Sequence, residues 1–353
     1  MKKCLLLMAM GLLAASAYAD VKVEVKGFST DTLVVQRVNL QGNRRVAADS
    51  VIVMKEGKAV LPDVAKTMCL FIGPKDRSVL RPASVYINPG ENFEVTIVKG
   101  ENPVIKGSAV QDMINEVKNR QNDIIAKAQN VDDAVRDSLY GEYAKVAPDY
   151  ARQNLDTPIT LWALWQCDTE TAEELLPKIG DNARNSMFGE LEQALAKRIE
   201  REKQRAEAQK LTAEGMQAPD FSLNHPDGSA FVLSSMRGMW VVLDFWGSWC
   251  SWCIKGMPEM KKSYEKYGDS MEIVSIACGD SKEAWLAAIK KYDMNWTNVL
   301  SADVIPGSDK KVEQLYGIEG YPTKIIIDPK GKIVKRFVGE TPLFYEALEE
   351  LIK

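Results

Sequence analysis

WVVLDFWGSWCSWC, residues 240–253, joins an apolar run to two cysteines three residues apart. Residues 240–246 are apolar except for Asp244, which reads as a strand buried on both faces. Residues from Cys250 to Tyr267 take helical spacing, so the pair sits where a strand ends and a helix begins. Zinc is a poor fit, because one CxxC supplies two of the four ligands a structural site needs and only His225 remains as a further candidate. Attached haem needs a histidine straight after the second cysteine, and that position holds Ile254. No metal and no cofactor are expected. A purely structural crosslink would close a very short loop, a weak staple by chain entropy.

Redox exchange suits the position. Free backbone N–H groups and the helix dipole at the helix start stabilise a thiolate. Cys253 lies one turn deeper, within disulfide reach. Cys250 is therefore expected to be an exposed nucleophile and Cys253 the resolving thiol, working through a mixed disulfide. A carboxylate in an apolar strand is costly when charged, so Asp244 should hold its proton to higher pH and exchange it with Cys253.

Around this stretch the pattern is α/β. APDFSL and AFVLSS flank a PDG turn as a hairpin; MEIVSIA, TKIIID and KIVKRFV read as strands; SKEAWLAAIKKY and FYEALEELIK read as helices. Residues 20–107 carry short alternating runs, VKVEV and FEVTIV among them, as in an all-β sandwich-like domain. Residues 108–214 turn helical, with Ile114, Val117, Ile124 and Ala128 near one face and Leu191, Leu195 and Ile199 on another. Pro148, Pro158 and Pro177 read as helix boundaries, and Trp162 and Trp165 as core. Residues 215–353 form the α/β domain.

The first 19 residues have the parts of a signal peptide: Lys2 and Lys3, an apolar core over Leu5–Ala15, and Ala17-Tyr18-Ala19 as the cleavage site. Export to a periplasm or cell envelope is expected, a setting that permits disulfides. Cleavage leaves Cys69, Cys167, Cys250, Cys253 and Cys278, an odd set that argues against a fully paired framework. The three cysteines outside the CxxC default to inert buried thiols, with a Cys69–Cys167 bridge left open. A net charge of −4 without a basic patch argues against nucleic acid.

VLDFWGSWCSWC resembles the active-site strand and motif of the thioredoxin superfamily, and YGIEGYPTKIIIDPKGKIV the segment with its cis-proline. QAPDFSLNHPDG and CGDSKEAWLAAIKKYDMNW are similar to the exported TlpA/ResA-like branch. INPGENFEVTI followed by IKGSAVQ resembles a β-rich domain that precedes such modules. The resemblance implies Cys250 and Cys253 as the redox pair, Asp244 as the buried acid and Pro322 as the cis-proline facing it. Tyr321 would offer backbone hydrogen bonds to substrate. Three positions depart from the pattern: Trp252 replaces a proline, Tyr321 a small residue, and Asp280, an accessory position, a glutamate. Trp249, Trp252 and Tyr321 would form an aromatic rim for substrate.

The function expected is an exported thiol-disulfide oxidoreductase reducing protein disulfides. Its partners would be protein disulfide or thiol substrates and a membrane thiol electron donor, with a homodimer as an option. A disulfide isomerase or chaperone is the alternative, and a binding module with a vestigial site a further one. A peroxidase fits less well, since LDFWGSWC lacks the proline and Thr/Ser set ahead of a peroxidatic cysteine.

Overall fold

Alternation along VKVEV and TLVVQRV places every second side chain on one sheet face, and the N-terminal strands are built on that rule. The computed structural model describes residues 21–40, 44–61, 64–75, 82–302, 305 and 309–352. The leader read over residues 1–19, with Cys4, lies outside the described residues. The chain divides into two units, Met1–Ile199 and Glu200–Lys353.

The first unit holds β1 (Val21–Lys26), β2 (Thr32–Val38), β3 (Ser50–Val53), β4 (Lys58–Leu61), β5 (Met68–Pro74), β6 (Ala83–Ile87), β7 (Phe93–Val98) and β8 (Val104–Lys106). They form two four-stranded sheets, ordered β4-β1-β7-β8 and β3-β2-β5-β6. Val21, Val23, Leu33, Val35, Leu70, Ile72, Val85, Ile87, Val95 and Ile97 share the core between them. The run Met68–Ile72 does not alternate because both its faces are covered. Leu70 and Ile72 enter the sandwich core, while Cys69 and Phe71 pack with the helices.

Those helices are α1 (Ala109–Lys127), α2 (Asp133–Gln153), α3 (Thr160–Trp165), α4 (Thr169–Leu175), α5 (Asp181–Arg184) and α6 (Leu191–Leu211). Ser108, Asp132 and Asp168 cap α1, α2 and α4 by accepting backbone N–H bonds. Pro148 corrects the boundary expected of it: it lies inside α2. A proline there removes one helical hydrogen bond, but buried Val146, Ala147, Tyr150 and Ala151 hold the helix to the core on both sides of it. Trp162 is core, and its indole donates to the Tyr86 hydroxyl at 2.9 Å. Cys69 and Cys167 are separate free thiols, so the bridge left open between them is not formed.

The second unit contains β9 (Ser222–Asn224), β10 (Ala230–Val232), β11 (Trp240–Trp246), α7 (Ser251–Tyr267), β12 (Met271–Cys278), α8 (Lys282–Tyr292), β13 (Thr297–Ser301), α9 (Val312–Leu315), β14 (Thr323–Ile327), β15 (Ile333–Val338) and α10 (Pro342–Leu351). One seven-stranded sheet runs β10-β9-β13-β12-β11-β14-β15. β11, β12 and β13 are parallel, whereas β14 is antiparallel to β11 and β15 to β14. Val241, Leu243 and Phe245 point into one apolar layer; Val242 and Trp246 point into the other, with Cys250, Cys253, Met257 and Phe344. Burial of both faces is why β11 reads as an unbroken apolar run.

Candidate active site

The site grows from the end of β11. The chain leaves the sheet at Trp246, turns through Gly247-Ser248-Trp249 and enters α7 with Cys250 as its N-cap. The Cys250 sulfur accepts the Cys253 backbone N–H at 3.2 Å, one of the donors a helix start leaves unpaired. Cys250 and Cys253 are joined as a disulfide, with Cα atoms 5.3 Å apart.

Three interactions tie the turn to the end of β12. Asp280 accepts from the Ser248 N–H at 2.8 Å and from the Ser248 hydroxyl at 2.6 Å. The Trp249 indole N–H donates to the Cys278 carbonyl at 3.1 Å. This folds the indole back over Gly247, where a Cβ would lie only 2.5 Å from Nε1. Trp249 also meets Tyr321 edge-to-face, ring centroids 5.4 Å apart.

The exposed nucleophile expected at Cys250 needs correction. Cys250 is only 6% exposed and Cys253 4%. What faces solvent at the mouth of α7 is aromatic: Trp249 is 57% and Trp252 60% exposed. The sulfurs are covered because both pack into the apolar layer beneath α7, together with side chains of β11 and β12. Trp252 has Lys255 as its partner, the ammonium 4.3 Å from its ring centroid.

The Tyr321–Pro322 peptide is cis. The loop is anchored by the Gly339 N–H, which donates to the Pro322 carbonyl, and by the Thr323 hydroxyl, which donates to the Gly320 carbonyl. Tyr321 is half-buried, and burial first, then the nearby Cys278 thiol, push its phenol above the usual tyrosine range.

Asp244 lies on the same sheet face as the cysteine pair and is 2% exposed. Its Oδ2 accepts the Ser275 hydroxyl at 2.9 Å, and Ser275 accepts the Trp296 indole N–H. Burial drives the Asp244 carboxyl above the usual range, and Glu340 adds to the effect; Lys324 and the Ser275 hydrogen bond oppose it.

Lys324 and Glu340 join the site without being expected from the sequence. Lys324 is the only charge in the strand TKIII, a signal of the same kind that singled out Asp244. Glu340 follows β15 and carries no local signal at all. Across the sheet, Lys324 stands in register with Asp244, and its ammonium pairs with Glu340 at 2.5 Å.

The AhpC/TSA family description matches residues 215–336. The thiol-disulfide oxidoreductase ResA of Bacillus subtilis (strain 168) is 36% identical over 128 residues, covering 36% of this chain and 68% of that protein. The ResA of Bacillus cereus (strain ZK / E33L) is 31% identical over 127 residues, 36% of this chain and 70% of that one. Among solved structures, the thioredoxin domain of a thiol-disulfide oxidoreductase from Bacteroides vulgatus is 29% identical, covers 40% of this chain and 99% of that chain, and has a TM-score of 0.36. A thioredoxin-like fold with a cysteine pair at a helix start defines an oxidoreductase of thiols and disulfides. The chain belongs to the ResA-like thiol-disulfide oxidoreductases of the thioredoxin superfamily.

Proposed function

We propose that this chain is an exported reductase of protein disulfides, with Cys250 as nucleophile, Cys253 as resolving thiol and Asp244 as the acid/base. The observation that carries the reading is the Cys250 sulfur at the α7 N-cap, hydrogen-bonded by the Cys253 N–H on the sheet face that holds buried Asp244. A helix N-terminus and a donated N–H favour the anionic sulfur.

In the reduced enzyme the Cys250 thiolate attacks one sulfur of a substrate disulfide. The substrate's S–S bond breaks, and its other sulfur leaves with the electron pair and takes a proton from water. Cys253 then gives its proton to the Asp244 carboxylate and attacks Cys250 as a thiolate. The mixed disulfide breaks, the second substrate sulfur leaves, and Cys250–Cys253 becomes the disulfide. Two electrons pass to the substrate, and Asp244 later returns its proton to solvent. Tyr321 and Pro322 would dock an extended substrate segment beside the sulfurs, with Trp249, Trp252 and Tyr321 contacting its apolar side chains. Asp280 would steady the turn through Ser248.

The leader pattern supports export, and among the described residues no helix is long and apolar enough to cross a membrane. An exported reductase has to be recharged, and a membrane dithiol is the class of donor that fits. Reduction of insulin disulfides by the mature protein with excess dithiothreitol tests the reading. The parent should turn over, and Cys250→Ser should lose at least about 1,000-fold. A Cys250→Ser variant as active as the parent would sink the assignment.

A further inference from the structure

Helix α7 carries a glycine in its second turn, where alanine would favour the helix. The space left at Gly256 is taken by a carboxylate from a distant loop: a Cβ there would lie 2.3 Å from Glu340 Oε2. Glu340 is held on both oxygens. Oε2 pairs with the Lys324 ammonium at 2.5 Å, and Oε1 accepts the Tyr345 hydroxyl at 2.6 Å. Lys324 is buried and stands opposite Asp244 on neighbouring antiparallel strands. Such cross-strand neighbours have Cβ atoms about 5 Å apart. Two carboxylates therefore flank one buried ammonium.

One ammonium cannot serve both acids equally. If it were committed to Asp244, that carboxylate would be a stabilised anion and a poor base. The 2.5 Å contact commits it to Glu340 instead. We propose that Lys324 and Glu340 are positioning residues for Asp244: Glu340, admitted by Gly256, draws the ammonium onto itself and leaves Asp244 as the group that takes the Cys253 proton. The inference rests on the reading of Asp244 as that acceptor. The groups that interact with Asp244 are Lys324 from β14, Glu340 after β15, Ser275 and Cys278 from β12 and Tyr345 from α10.

The test is the titration of the Asp244 carboxyl carbon by NMR in the full mature protein, oxidised so that Cys250 and Cys253 do not ionise. Glu340→Gln should move the Asp244 midpoint to lower pH by roughly 1 unit, because the ammonium is then left to Asp244. Lys324→Met should move it up by roughly 1 unit, because the cation is gone. Gly256→Ala, which pushes the carboxylate aside without removing any charge, should shift it in the direction of Glu340→Gln. A pair that merely braces the fold would lower the melting temperature and leave the midpoint in place, or move it the same way in all three variants; either result overturns the proposal. The underlying reading fails separately: if Asp244→Asn resolves mixed disulfides at the parent rate, Asp244 is not the acceptor and the positioning role falls with it.

Discussion

Asp280 grips Ser248 twice, with one carboxylate oxygen on the backbone N–H and the other on the hydroxyl, at 2.8 and 2.6 Å. The two bonds pin the turn that delivers Cys250 to the start of α7. They give a definite geometry to a residue that sequence marked only as accessory. Charge-assisted bonds of this kind are worth about 1.5–3 kcal/mol each when buried, less here because the pair is partly exposed. Asp280→Ala should lower kcat/KM for insulin reduction about tenfold, equivalent to ~1.4 kcal/mol, and Asp280→Asn should lose less. Unchanged kinetics in Asp280→Ala would show that the turn holds its shape without the carboxylate.

Asp244 predicts a pH dependence of stability. Its carboxyl titrates above the usual range in the folded protein because burial disfavours the anion. Over the interval from the unfolded value, about 3.9, up to the folded value, the folded state binds more protons than the unfolded one. The stability this group contributes is therefore present at low pH and lost as pH rises through that interval. Asp244→Asn should remove that decline, so the variant melts higher than the parent at pH 7–8 while resolving mixed disulfides more slowly. Thermal melts of both proteins from pH 4 to 8 check it; a parent-minus-variant difference that does not change with pH contradicts the buried-acid account.

Trp252 stands in solvent with Lys255 over its ring. Its removal should cost substrate binding without costing stability. Trp252→Ala should raise KM for a protein disulfide about five- to tenfold, or ~1–1.4 kcal/mol, with kcat and melting temperature unchanged. Turnover of a small aromatic disulfide should be much less affected. Equal losses on both substrates would mean that Trp252 acts on the sulfurs and not on the client chain.

The remaining thiols should be silent. Burial, followed by the Asp168 charge, pushes the Cys167 thiol up to about 12, and burial also raises Cys69 and Cys278. At pH 7.5 the native oxidised mature protein should take up no iodoacetamide within minutes. After mild reduction, labelling should begin at Cys250 and spare Cys69, Cys167 and Cys278 until denaturant is added. Peptide mapping by mass spectrometry reads the order; early labelling of Cys278 would show that the site opens further than its burial implies.

Local spacing was enough for the parts of this protein that local chemistry builds. A strand running into Cys250-x-x-Cys253 puts two sulfurs one helical turn apart whatever surrounds them, and Asp244 stood out because an acid in an apolar strand needs a reason. Alternation in β1 and β2, and its loss in β5 and β11, follow from how many faces of each strand are covered. Pro148 shows the limit of such rules. Its cost is local, but the packing of Val146, Ala147, Tyr150 and Ala151 that offsets it is not.

The sequence alone determined that Cys250 and Cys253 lie within disulfide reach and which strand and helix carry them, since residues three apart meet by the geometry of one turn. Only the tertiary structure decided that those sulfurs lie under a cover with tryptophans outermost, that Asp280 closes on Ser248, and that Glu340 fills the gap at Gly256 to hold Lys324 beside Asp244. Those contacts join positions far apart in the chain. They depend on strand register and on the order of strands in the sheet, which no short run of residues encodes.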